Sequence, residues 1–275
     1  HRRRPPHLVL AKELLMTITH PAGFRAAGVA AGLKSTGAQD LALVVNDGPR
    51  HDSASVFTAN RCKANPILWS QEVVKDGVVR AVVLNSGGAN CYTGADGFQT
   101  THSVAERVAE RVGVGAVDVV VCSTGLIGLA NSRDDLLAGV DAAHAALSDD
   151  GGDDAARAIM TTDSVSKQAV VEGAGWSIGG MAKGAGMLAP QLATMLVVLT
   201  TDAVVPAADL DVALRAATRV SFDRLDSDGC MSTNDTVTVL ASGASGITPA
   251  LPDFTAALTQ LCSDLAMQLL RDAEG

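Results

Sequence analysis

The sequence predicts an α/β fold of packed layers, and three observations predict it. Short β-branched runs of strand length alternate with longer stretches whose apolar residues recur at helical spacing. Hydrophobic residues make up 47% of the 275 residues and aromatic residues only 3%, so the core is built from Val, Leu, Ala and Ile. The strand-like runs end in loops dense in Gly, Ser, Thr and Asn, as in layered α/β proteins whose sites lie at strand ends. In chain order, strands are expected at Leu41–Asn46, 78–85, 117–123, 195–200 and Thr236–Ala241. Helices are expected at 99–112, 133–147, Ala207–Val220 and 253–272, the last from a stripe of Phe254, Leu258, Leu261, Leu265, Leu269 and Leu270. The acidic segment 147–157, "LSDDGGDDAAR", reads as a turn or loop, and no stretch reads as an interdomain linker.

Charge and composition exclude several functions. The formal net charge of −9 gives nucleic acid little electrostatic attraction. Residues 1–15 are an exception at +3, from Arg2, Arg3, Arg4 and Lys12 against Glu13. Pro5, Pro6, His7, Lys12 and Glu13 interrupt any signal-peptide core, so 1–15 is expected to be an upstream extension, with the natural beginning at Met16. The apolar run at 195–200 is far short of the roughly 20 residues of a membrane span. Five widely spaced cysteines without a CxxC pair read as reduced thiols, several of them buried, in a cytoplasmic protein. The six histidines have no metal-ligand spacing, so no metal is expected. His102, without a GxSxG motif, reads as a surface histidine near a helix start. "GGMAKGAGM" lacks the order of a phosphate-cradling loop.

The chemistry concentrates in "KGAGMLAPQLATMLVVLTTD", 183–202. Thr194 opens a strand there and has two readings, a β-favouring residue or a nucleophile. A threonine hydroxyl needs a base, and its own α-amino group, with a pKa near 8, would serve once the bond from Ala193 is broken. "VVVCSTGLIG", 119–128, ends a strand in Ser123-Thr124-Gly125. That is either a capped strand-to-helix turn or a pair of donors for an oxyanion. "LNSGGANCYTG", 84–94, and "STNDT", 232–236, are further polar strand ends. Lys183 alone reads as a solvated lysine.

Together "KGAGMLAPQLATML", "STGLIG", "LNSGGAN", "IMTTD" and "STNDT" resemble the ornithine acetyltransferase (glutamate N-acetyltransferase) family of arginine biosynthesis, from about Gly23 to Gly275. The resemblance implies an N-terminal-nucleophile-like layered sandwich, self-cleaved between Ala193 and Thr194 into an α chain (16–193) and a β chain (194–275). The pairs would associate as dimers. It implies Thr194 as nucleophile, taking acetyl from N2-acetylornithine and passing it to L-glutamate, with no cofactor and with acetyl-CoA left open as a second donor. Thr124 and Gly125 match the oxyanion pair. Thr161 (of "TTD"), Lys183, Thr194 and Glu274 (of "DAEG") match substrate-binding positions, Glu274 for the substrate amino group. Gly88 replaces a small polar residue common in the family, and the family continues past the "AEG" position, so a C-terminal portion is expected to be missing. The alternatives are an aminopeptidase or amidohydrolase of the same fold class, with water in place of glutamate, or an inactive truncated relative.

Overall fold

The computed structural model describes residues 17–187, 195–226 and 228–274. The expected extension 1–15, Ala193 and Thr194 therefore lie outside the described residues. The strands are β1 (Phe24–Val29), β2 (Leu41–Asn46), β3 (Asp52–Phe57), β4 (Ala81–Gly88), β5 (Val119–Leu126), β6 (Lys167–Glu172), β7 (Ser177–Lys183), β8 (Leu196–Thr201) and β9 (Thr236–Ala241). The helices are α1 (Asn65–Val73), α2 (Gly94–Val112), α3 (Arg133–Ala145), α4 (Gly152–Ala158), α5 (Ala207–Val220) and α6 (Leu251–Arg271).

Two sheets stack on one another, with α2, α3, α5 and α6 on the outer faces and the alanines of α4 packed into the core between the sheets. One sheet runs β1-β2-β4-β5 and the other β3-β9-β8-β7-β6. Alternation along the strands explains the layering, because successive side chains point to opposite faces. In β2, Leu41, Leu43 and Val45 pack with Val104, Val108 and Val140 of α2 and α3, while Ala42 and Val44 face inward. In β8, Leu196 and Val198 face inward onto Ala42, Val44, Val82, Leu84 and Val120 of the other sheet, while Val197 and Leu199 pack on α5 and α6. Strands covered on both faces read as continuous apolar runs, and every residue of β2 and of β8 is buried. The expected layered sandwich is thus an α/β/β/α stack.

Four expectations need correction. Ser123, Thr124 and Gly125 lie inside β5 rather than in a turn, because β4 and β5 remain paired in parallel through Ser86↔Thr124, Gly87↔Gly125 and Gly88↔Leu126. The acidic segment is not all loop: Gly152–Ala158 is α4, with Asp153 and Asp154 in its first turn and Arg157 in its last, each favoured by the helix dipole. It packs on β1, where a Cβ at Gly28 would stand 2.0 Å from the Asp154 carbonyl oxygen. The α6 stripe holds except at Leu270, which is exposed; Cys262 and Ala266 complete the buried face instead. Lys183 is not a solvated lysine but the buried last residue of β7. His102 is exposed on α2, its ring 4.9 Å from that of Trp69.

Candidate active site

The ends of β4, β5 and β7 and the segment after α6 meet around one cavity of about 590 Å³. Lys183 organises it. Its ammonium group, 2% exposed as a residue, donates to Thr161 Oγ1 at 2.7 Å and to Thr124 Oγ1 at 3.1 Å. Because both hydroxyl oxygens accept from the lysine, both hydroxyl protons are free to point elsewhere. Burial depresses the Lys183 pKa to about 8, against the opposing attraction of Asp163. An ammonium so poorly solvated interacts strongly with any anion brought beside it.

Asp163 sets the electrostatics behind Lys183. Its Oδ2 lies 3.9 Å from the Lys183 ammonium and accepts from the Thr161 amide at 3.0 Å. Its Oδ1 accepts from Lys167 at 2.7 Å and from the Gly184 amide at 2.6 Å. Burial works to raise the Asp163 pKa, but Lys183, Lys167 and the two amides outweigh it and hold the carboxyl below its usual range. Lys167 in turn binds Asp272 at 2.6 Å, just past α6, and burial notwithstanding the Asp272 pKa falls to about 2. The same ion cluster thereby ties down the end of the chain that carries Glu274, whose amide donates to the Ala185 carbonyl at 2.7 Å.

Gly125 supplies the open backbone beside Thr124. Its φ of +123° is a conformation that side chains avoid, and a Cβ there would meet the Gly87 carbonyl oxygen at 2.1 Å. Two polar strand ends seen in the sequence brace this region. Asn234 donates from Nδ2 to the Ala89 and Ser123 carbonyls, at 2.7 and 2.8 Å, bridging the two sheets. Ser123 Oγ donates to Asn85 Oδ1 at 2.6 Å.

The structure brings Thr124, Gly125, Thr161, Lys183 and Glu274 to the same cavity, although they come from four separate parts of the chain. Thr194 itself lies outside the described residues, yet its neighbour does not. The Met195 amide, the far side of the peptide bond from Thr194, donates to Asp235 Oδ1 at 3.0 Å. The following residue, Leu196, pairs with Lys183 across β7 and β8. Asp235 is fully buried, and burial raises its carboxyl well above the usual carboxylate range. Its other oxygen has no hydrogen-bond partner among the described residues. Sequence reasoning missed Asp163, Lys167, Asp235 and Asp272. Three of them stood in quoted motifs, "TTD", "STNDT" and "DAEG", where the hydroxyl residues and Glu274 drew attention first. Among the described residues no cluster of His, Cys, Asp and Glu is arranged to hold a metal ion.

The ArgJ family profile matches residues 25–275. The chain belongs to the ArgJ family. It is 62% identical over 260 residues to the arginine biosynthesis bifunctional protein ArgJ of Streptomyces coelicolor, covering 94% of this chain and 68% of that protein. The crystal structure of ornithine acetyltransferase from Mycobacterium tuberculosis, complexed with ornithine, matches with 53% identity and a TM-score of 0.63. That match covers 66% of this chain and 96% of the solved one. The L-aminopeptidase D-Ala-esterase/amidase of Ochrobactrum anthropi, a variant Ntn hydrolase fold, matches at 14% identity with a TM-score of 0.55 over 94% of this chain and 86% of that one. At that identity the likeness is one of fold alone, and it agrees with the layered sandwich described above. The expected family and fold class are therefore borne out.

Proposed function

We propose that the chain transfers an acetyl group from N2-acetylornithine to glutamate, in arginine biosynthesis, through an acetyl ester on Thr194. The observation that carries this reading is the Lys183–Thr124–Thr161 cluster beside Gly125, in the cavity that also holds Glu274. Lys183 is suited to a substrate carboxylate and Glu274 to the ornithine ammonium. Thr124 Oγ and the Gly125 amide are suited to the oxyanion of the tetrahedral intermediate.

The steps balance without a cofactor. In self-cleavage Thr194 Oγ attacks the Ala193 carbonyl carbon and the C–N bond breaks, which frees the Thr194 amine and leaves Ala193 as an ester on Oγ; water then hydrolyses that ester, releasing the Ala193 carboxylate and the Thr194 hydroxyl. In the first transfer that amine takes the Thr194 hydroxyl proton as Oγ attacks the acetyl carbonyl. The bond to the ornithine α-nitrogen breaks, and the proton passes to the departing amine. The glutamate amine then attacks the ester carbonyl, and Thr194 regains its proton.

A divided chain of 16–193 and 194–275 has support from lengths. About two thirds of this chain accounts for 96% of the solved acetyltransferase chain, whereas nearly all of it accounts for only 68% of the curated relative. The solved chain is thus much shorter than a whole family member, and 16–193 is about two thirds of this chain. Association of two such pairs, acetyl-CoA as a second donor and residence in the cytoplasm belong to the same reading. Free cysteines, three of them buried, suit the last. Among the described residues no helix is long and apolar enough to cross a membrane.

Intact mass spectrometry of the protein and of Thr194→Ala tests the proposal. Two fragments meeting at Ala193–Thr194 are expected, with a single uncut and inactive chain in the variant. Cleavage in the variant would overturn the nucleophile assignment. Product analysis then separates transfer from hydrolysis, since acetylglutamate forms only with glutamate present and free acetate forms without it.

A further inference from the structure

One cation of the cavity has no assigned task. Lys34 lies in the segment between β1 and β2 and is half-buried against the cavity wall. That segment is held rigidly by Asp40, which is fully buried. Asp40 Oδ1 accepts from the Ala31 amide at 2.6 Å, and Oδ2 accepts from the Leu33 and Lys34 amides at 2.7 and 2.9 Å. The Asp40 carbonyl also accepts from the Ser86 amide at the end of β4, which fixes the loop to the floor of the site.

The Lys34 ammonium donates to two backbone carbonyls, those of Gln39 at 2.8 Å and Met160 at 2.7 Å. Met160 immediately precedes Thr161, so the same short stretch holds Lys34 on one side and Lys183 on the other. Lys34 forms no ion pair with any described residue. Two carbonyls use two of its three N–H donors, and the third is left for the cavity. Burial lowers its pKa, with Asp40 and Asp163 opposing, as expected of a cation short of counter-charge.

The chemistry of the two substrates gives this cation a use. Acetylornithine and glutamate share an α-carboxylate but differ in the sign of the side-chain terminus. Glu274 suits the ornithine ammonium and repels a second carboxylate in the same place. Lys183 is engaged by Thr124, Thr161 and the α-carboxylate. We infer that Lys34 pairs with the side-chain carboxylate of the glutamate acceptor and so determines acceptor specificity. Ser35 and Thr36, on the same wall, lie beside that subsite. The inference rests on the proposed function.

The test compares glutamate with glutamine, its neutral amide, as acceptor for the unaltered protein and for Lys34→Met and Lys34→Arg. Each is first shown by thermal unfolding and by self-cleavage to be folded. A charge-assisted pair predicts that Lys34→Met raises KM for glutamate about 10- to 100-fold and loses most of the preference over glutamine. KM for acetylornithine should change less, and Lys34→Arg should recover part of the preference. An equal rise for glutamate and glutamine would mean that Lys34 binds the shared α-carboxylate, and no rise would mean that it is structural; either overturns the inference. If the unaltered protein transfers no acetyl group, it is the proposed function that fails. Calorimetric titration with glutamate and glutamine then decides the inference, which stands only if Lys34→Met abolishes a preference for glutamate.

Discussion

Two lysines stand at the same end of one hairpin, Lys167 opening β6 and Lys183 closing β7, and the structure treats them oppositely. Both are buried, at 0% and 2% exposure, and both face Asp163. Lys167 has carboxylates at 2.7 and 2.6 Å, from Asp163 and Asp272, which neutralise it fully. Lys183 has two hydroxyls as near neighbours, with Asp163 3.9 Å away, and its pKa is depressed. A buried cation with its own counter-ions is a structural joint. A buried cation held by neutral hydroxyls is an incomplete pair, and under the proposed function a substrate anion completes it.

Lys167→Met should give the largest effect on folding. It leaves Asp163 and Asp272 without their shared cation, and breaking a buried pair by deleting one partner costs about 3–5 kcal/mol. Denaturant unfolding measures this, and a loss under about 1 kcal/mol would erase the distinction drawn between the two lysines. Lys183→Met should do the reverse. Asp163 keeps Lys167 and two amides, so stability should change by about 1 kcal/mol or less. Catalytic efficiency should fall roughly 10- to 100-fold from loss of a charge-assisted contact, read as kcat/KM in an acetyl-transfer assay.

The subtlest difference is in alkaline pH dependence. The folded-state pKa of Lys183, about 8, lies below the ordinary lysine value near 10.4. Between those values the unfolded chain binds more protons, so this group makes stability rise with pH across that window. Below pH 8 its penalty is fully present. Chemical denaturation at pH 8 and pH 10 should show the rise in the unaltered protein and a smaller one in Lys183→Met.

Much of the site was legible because its parts are local in sequence. "STGLIG", "TTD" and "KGAGM" each bring two or three chemical groups within a few residues, and a resemblance can act on such words. The ion cluster behind them was not legible, for a physical reason. Lys167 and Asp272 are 105 residues apart, and Lys34 reaches Met160 across 126. No periodicity or turn signal announces a pairing over that distance. The acidic residues of α4 misled because aspartate favours both turns and the first turn of a helix, and only packing of the small Ala155, Ala156 and Ala158 decided between them.

By itself the sequence determined β2, β4, β5, β8, β9 and the helices α2, α3, α5 and α6 (but not β1, β3, β6, β7, α1 or α4), the aliphatic core, and the family to which the chain belongs. Those follow from residue type and spacing, which act over a few bonds or one helical turn. Only the tertiary structure decided that Lys183 is buried rather than solvated, that Ser123–Gly125 continue a strand, and which carboxylates face which lysines. Burial and charge pairing depend on what the folded chain places nearby, and a buried ammonium takes its character from those neighbours.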